Sequence, residues 1–210
     1  MSQNNLYKGF EVELFTGSLN SHIGVSDEIE KIFPDFVKEP DNRNVEYITT
    51  PEKDYGSLYE KLIIPRKKLR RWLNKKDLTI IPSSTLCFEH DIQFQRSDIN
   101  NLYHQFIQDN YGTSIATSSV HINIGIDDLE KLFAAIRLIR SEASLYLSLS
   151  ASSPFLNNKI TANHSQRWIQ FPKTPSKIPF FVNHNCYVDW IEENIANKSM
   201  QNIRHLWCSI

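Results

Sequence analysis

Two glutamates stand one residue apart in Lys8-Gly9-Phe10-Glu11-Val12-Glu13-Leu14-Phe15. Side chains alternate along a β-strand, so Glu11 and Glu13 are expected on one side and Phe10, Val12 and Leu14 on the other. Same-face neighbours on a strand lie about 6.5–7 Å apart. Two unit charges at that separation repel by roughly 2.4 kcal/mol at an effective dielectric near 20. A cation between them reverses the sign of that energy. The pair alone fits either a metal site or the wet side of an edge strand.

Two further segments repeat the pattern. In Asn44-Val45-Glu46-Tyr47, the residues Asn44 and Glu46 share one face, and in Val120-His121-Ile122-Asn123-Ile124, so do His121 and Asn123. Taken singly, Glu46 reads as a solvated strand residue and His121 as a structural histidine. If the three strands share a sheet, neighbours lie about 4.8 Å apart. Their carboxylates can then converge on a magnesium ion at about 2.0–2.1 Å. A loop-rich stretch, 150–183, carries Ser152 and Arg167. Long loops in compact domains are often binding loops, and the Arg167 fork suits a carboxylate or phosphate. An exposed loop arginine is the plainer alternative.

The elements that must position these groups follow from periodicity and breakers. Strands are expected at 9–15, 43–50, 78–88 (broken by Pro82), 115–124 and 203–210. Helices are expected at 26–33 (Ser26 as N-cap, stopped by Pro34), 55–76, 98–110, 127–149 and 185–197. Pro65 is expected to kink or divide the second helix. The strands alternate polar and apolar residues, unlike the continuous apolar runs of buried parallel strands. That predicts an α+β fold: a mostly antiparallel sheet with helices on one face and a polar face opposite.

The chain of 210 residues is read as a single domain, with a formal net charge of -1 that argues against a bulk nucleic-acid binder. The run Pro65–Lys76 holds seven cations and Trp72. It could contact nucleic acid or an anionic membrane, but reads better as a solvated helix face with Leu69, Trp72 and Leu73 turned inward. No run approaches the ~20 apolar residues of a membrane helix, and the N-terminus lacks a secretory pattern. Cys87, Cys186 and Cys208 form no metal or disulfide framework, so a cytoplasmic setting is expected. The six glycines are never closer than seven residues. That excludes a Walker loop and a dinucleotide fingerprint; any nucleotide must be held through metal ions and basic side chains.

Five separated blocks resemble glutamate–cysteine ligases of the second bacterial type, nearest the cyanobacterial branch. They are Gly9–Glu13, Asn44–Tyr47, Ser119–Gly125, Leu149–Phe155 and Ser165–Trp168, with Phe171–Pro175 and Met200–Trp207 in support. The resemblance runs the whole length in order. It implies a curved, glutamine-synthetase-like sheet whose concave face is a funnel for ATP and Mg2+. It implies Glu11, Glu13 and Glu46 as metal ligands and His121 as a metal or phosphate contact with a catalytic role. Arg167 would be a catalytic substrate or phosphate contact. Asn123 and Ser152 would line the nucleotide and substrate pocket. The implied reaction joins glutamate to cysteine with ATP, the first step of glutathione synthesis, with no nucleic-acid or membrane partner. Family members continue past Ile210 with another strand that completes the metal and glutamate sites. The chain therefore reads as the N-terminal portion of a ligase catalytic domain, C-terminally truncated, and a non-catalytic binding module that keeps the fold is the alternative.

Overall fold

A computed structural model describes residues 6–88, 93–172, 177–200 and 202–203. The chain forms two compact units, Met1–Gly125 with Ser152–Phe171, and Ile126–Ala151 with Pro172–Ile210.

The first unit is built on a six-stranded sheet. In chain order its elements begin with β1 (Lys8–Ser18), β2 (Ser21–His22), α1 (Ser26–Ile32), β3 (Phe36–Lys38), β4 (Asn44–Ile48) and α2 (Tyr55–Asn74). They continue with β5 (Thr79–Ile81), α3 (Leu102–Tyr111), a 3-10 turn at Gly112–Ile115 and β6 (Val120–Ile124). β1 is the centre: it pairs antiparallel with β2, β4, β5 and β6, and β3 pairs antiparallel with β4. At the β1–β2 turn a Cβ on Gly17 would lie 2.2 Å from the Ser21 carbonyl oxygen, so the turn closes only over a bare backbone.

Val12, Val45 and Tyr47 point to one face of this sheet and pack with Ile29 of α1 and Leu69 and Leu73 of α2. Full burial of each such leucine contributes about 1.5–3 kcal/mol. This is the expected α+β arrangement, with helices on one face of an antiparallel sheet. The basic run lies on α2 with Leu69 and Leu73 buried and Trp72 packed beside them, as its solvated-face reading requires. α2 is undivided at Pro65. Partly buried Leu62 before the proline and buried Leu69 and Leu73 after it hold both halves to the same core. On the opposite sheet face an apolar cluster lies at one end, where Phe15 packs with Ile81, Leu86 and Ala116.

Other local expectations shift. Val25, not Ser26, occupies the N-cap position of α1, without a side-chain capping bond, and the Ser26 hydroxyl donates to Asn42 Oδ1. Only Thr79–Ile81 of the 78–88 segment is strand, and β6 starts at Val120 rather than 115. The 152–171 part of the first unit holds a hairpin, β7 (Phe155–Leu156) and β8 (Lys159–Ile160). Its turn residues Asn157 and Asn158 both take positive φ, as a tight hairpin demands.

In the second unit the helix expected at 127–149 is two, α4 (Leu129–Ser141) and α5 (Ala143–Ser150), broken at Glu142. Asp128 caps α4 by accepting from the Glu130 and Lys131 amides. In the first unit a short α6 (Gln166–Gln170) follows the hairpin; the second unit also holds α7 (His184–Ala196), where Tyr187 and Trp190 pack on Phe181. The strand expected at 203–210 lies, apart from Ile203, outside the described residues. Among the described residues no helix is long and apolar enough to cross a membrane.

Candidate cation and anion site on the open sheet face

The strand register decides which side chains meet. Glu13 lies opposite Glu46, and Glu11 opposite His121, with Asn123 two pairs further along opposite Gly9. Residues directly opposite each other in an antiparallel pair project to the same face. Glu11, Glu13, Glu46, His121 and Asn123 therefore share the face turned away from α1 and α2. Asn44 shares it too, but it is buried and its amide donates to the Thr117 carbonyl at 2.8 Å, so it closes the floor of the site.

Short bonds fix the carboxylates. Glu11 Oε2 lies 3.0 Å from His121 Nδ1, and Glu11 Oε1 accepts from Asn123 Nδ2 at 2.9 Å. His121 Nε2 is 3.2 Å from Ser119 Oγ. Glu13 Oε2 accepts the Ser119 amide at 2.8 Å. Two groups have ligand atoms that all lie within 4.8 Å of one another: Glu11, Glu46 and His121, and Glu13, Glu39 and Glu46. Glu46 belongs to both.

Sequence reasoning missed Glu39. Val37 pairs with Glu46, so Glu39, two residues on, continues along the acidic face. The signal was the alternation of Val37 and Glu39, hidden because Phe36–Lys38 is too short to read as a strand. Ser119 and Ser153 were missed for a plainer reason: their roles depend on contacts far away in the chain.

Crowding shows in the acidities. Burial, then the Glu13, Glu46 and Glu11 charges, push Glu39 up to about 8. Burial, then Glu13 and Glu11, push Glu46 up to about 7. Burial also raises Glu13, against the opposing pull of His121, Arg167 and the Ser119 hydrogen bond. The face thus carries more carboxylates than its own cations neutralise. The donors are hard oxygens with one imidazole, the set that magnesium or manganese accepts.

Arg167 is the cation that the loop delivers. It is the second residue of α6, and its amide donates to the buried Ser153 hydroxyl at 3.1 Å. Ser153 is itself tied to His164 and Gln166 through its backbone. The Arg167 guanidinium lies over Phe171, and its Nε is buried without a hydrogen-bond partner among the described residues. Burial pulls Arg167 below its ordinary value while Glu13 pushes back. Ser152 sits beside this anchor, its hydroxyl 3.4 Å from that of Ser84.

The sheet thus carries α1 and α2 on one face and the convergent carboxylates on the other. The fold agrees with a bifunctional glutathione synthetase from Pasteurella multocida, with a TM-score of 0.72 and 15% identity over 97% of this chain and 32% of that one. It also agrees with a glutamate–cysteine ligase from Francisella tularensis in complex with AMP, with a TM-score of 0.64 and 15% identity over 91% of this chain and 48% of that one. Residues 7–209 match glutamate–cysteine ligase family 2, and the chain belongs to that family. A Streptomyces avermitilis protein with the provisional name glutamate–cysteine ligase 2-1 is 24% identical over 71% of this chain and 42% of its own length. A Nocardia farcinica protein provisionally named glutamate–cysteine ligase 2-2 is 24% identical over 81% of this chain and 46% of its own. The chain thus spans less than half the length of these relatives.

Proposed function

We propose that this chain is the N-terminal portion of a catalytic domain that joins the γ-carboxylate of glutamate to the amine of cysteine with ATP. The observation that carries the reading is the convergence of Glu11, Glu13, Glu39, Glu46 and His121 on one sheet face, in two groups that share Glu46. A carboxylate is a poor electrophile. Moving the γ-phosphoryl group of ATP onto it gives an acyl phosphate and ADP; the amine then attacks, the amide bond forms and phosphate leaves.

Such a transfer depends on positioning and charge neutralisation. Magnesium held by these carboxylates would supply Lewis acidity and a template for the phosphates. The remaining work belongs to the protein's own groups. Asn123 and His121 aim Glu11, and the Ser119 amide aims Glu13. Arg167, anchored through Ser153, offers its fork to an anionic oxygen of glutamate or phosphate. This accounts for nucleotide binding without a glycine-rich loop.

A second reading, binding without turnover, is favoured by one observation. Every residue of β6 is exposed, and among the described residues the strand pairs only with β1. The His121 side of the site is accordingly open to water. Calorimetry of the chain with ATP and Mg2+, beside an assay for γ-glutamylcysteine, separates the two. Binding with product supports the ligase, and binding without product supports the module. Failure of ATP to bind in a Mg2+-dependent way refutes both.

A further inference from the structure

Glu39 is held at the first position of a loop, 39–43, that joins β3 to β4. That loop is clamped by a second segment, 93–97. The Ser97 hydroxyl donates to the Glu39 carbonyl, and the Ser97 amide donates to the Pro40 carbonyl at 3.0 Å. The Asn42 amide donates to the Gln95 carbonyl at 2.6 Å, and the Gln95 amide to Asp41 Oδ2 at 3.1 Å. Arg43 Nη2 donates to the Gln93 carbonyl at 2.9 Å. The loop cannot twist between these ties.

The Ser97 hydroxyl is oriented in turn. A carbonyl only accepts, so the Ser97 proton is committed to Glu39. Ser97 Oγ must then accept from His104 Nδ1, 3.1 Å away. Both side chains are buried, and His104 is carried by α3, whose start Asn101 caps. A relay thus runs from a helix, through one imidazole and one hydroxyl, to the backbone that carries a carboxylate of the acidic face.

We propose that Ser97, oriented by His104, is a positioning residue for Glu39, setting the group formed by Glu13, Glu39 and Glu46 without touching a cation itself. The inference rests on the reading of the acidic face as a cation site. It differs from a merely structural role in being selective. Among the described residues Glu11, Glu46 and His121 make no hydrogen bond to the 93–97 segment, and only Glu46 is common to both groups.

The test is Mn2+ binding by the whole chain, followed by electron paramagnetic resonance of free Mn2+, with circular dichroism to verify folding. The wild type binds two ions, and Glu39→Gln loses one. Ser97→Ala weakens that same ion about tenfold, the usual scale for removing an outer-shell partner. It leaves the other ion within about twofold, and Ser97→Thr restores the lost affinity. His104→Gln is the second probe, with a smaller loss at the same ion. If Ser97→Ala and His104→Gln both leave the two affinities unchanged, or lower both equally, the positioning role is overturned while the cation site stands. If the wild type binds no Mn2+, or Glu39→Gln keeps both ions, the cation reading itself fails and the proposal with it.

Discussion

Glu46 is the residue shared by both acidic groups, so Glu46→Gln should act in opposite directions on the metal-free and metal-loaded chain. A carboxyl held at about 7 instead of its ordinary 4.5 binds its proton more tightly when folded. Stability therefore falls as pH rises from about 4.5 through about 7 and stays lowered above that. The full penalty is about 3 kcal/mol. Water reaches part of this carboxyl, so we halve it to about 1.5 kcal/mol. Neutral Gln removes that penalty. For a chain of this size the midpoint should rise by about 3–6 °C at pH 8.5, and by much less at pH 5. With Mn2+ the order inverts. A wild-type chain at a hundred times its Kd gains about 2.7 kcal/mol from binding, whereas the variant has lost a ligand from each group. Thermal melts at pH 5 and 8.5, with and without Mn2+, measure all four states. A metal-free variant that melts below the wild type at pH 8.5 would refute the crowding argument. Equal stabilisation of both proteins by Mn2+ would refute the shared-ligand argument.

The same acidities predict that cation binding strengthens between pH 6 and 8.5, as Glu46 near 7 and Glu39 near 8 must lose protons first. Calorimetry in buffers of different ionisation enthalpy should detect proton release, and an affinity flat across that range would show carboxyls already ionised. His121→Ala should lower Mg2+-dependent ATP binding about tenfold yet change stability by less than about 1 kcal/mol. The imidazole is 48% exposed and its contact with Glu11 is open to water; a larger fall in the melting midpoint would make it a structural histidine. Asp41→Asn should lower stability by about 3–5 kcal/mol in denaturant melts. It removes the carboxylate charge that the buried Arg43 guanidinium meets through two hydrogen bonds. A near-neutral result would mean that water reaches the pair.

The parts of the site legible in the sequence are those set by a local period of two. Glu11 with Glu13, Glu46, and His121 with Asn123 lie within strands whose apolar partners advertise the face, and antiparallel pairing brought them together. Register could not be read locally, and it is register that places Glu13 opposite Glu46 and Glu11 opposite His121. The apolar residues of β6 also misled in part. Val120, Ile122 and Ile124 alternate as a buried face would, yet all three are exposed. Pattern records which side chains share a face; it does not say whether anything covers that face.

Glu39 and Arg167 show where local reasoning stops. Both stand outside long regular elements: Glu39 just past a three-residue strand, Arg167 in a five-residue helix after a hairpin. Neither position is fixed by its own neighbours' propensity. Glu39 is fixed by Ser97, 58 residues away, and Arg167 by Ser153, 14 residues away. Distant hydroxyls of this kind leave no periodic trace, because one serine among many carries no hydropathy signal. The charges they place nevertheless set the balance of the face, since Glu39 adds to its excess of carboxylates and Arg167 supplies a compensating cation near Glu13. Strand alternation therefore brings most of the carboxylates together, while long-range hydroxyl anchors fix how strongly they repel and where an anion can be received.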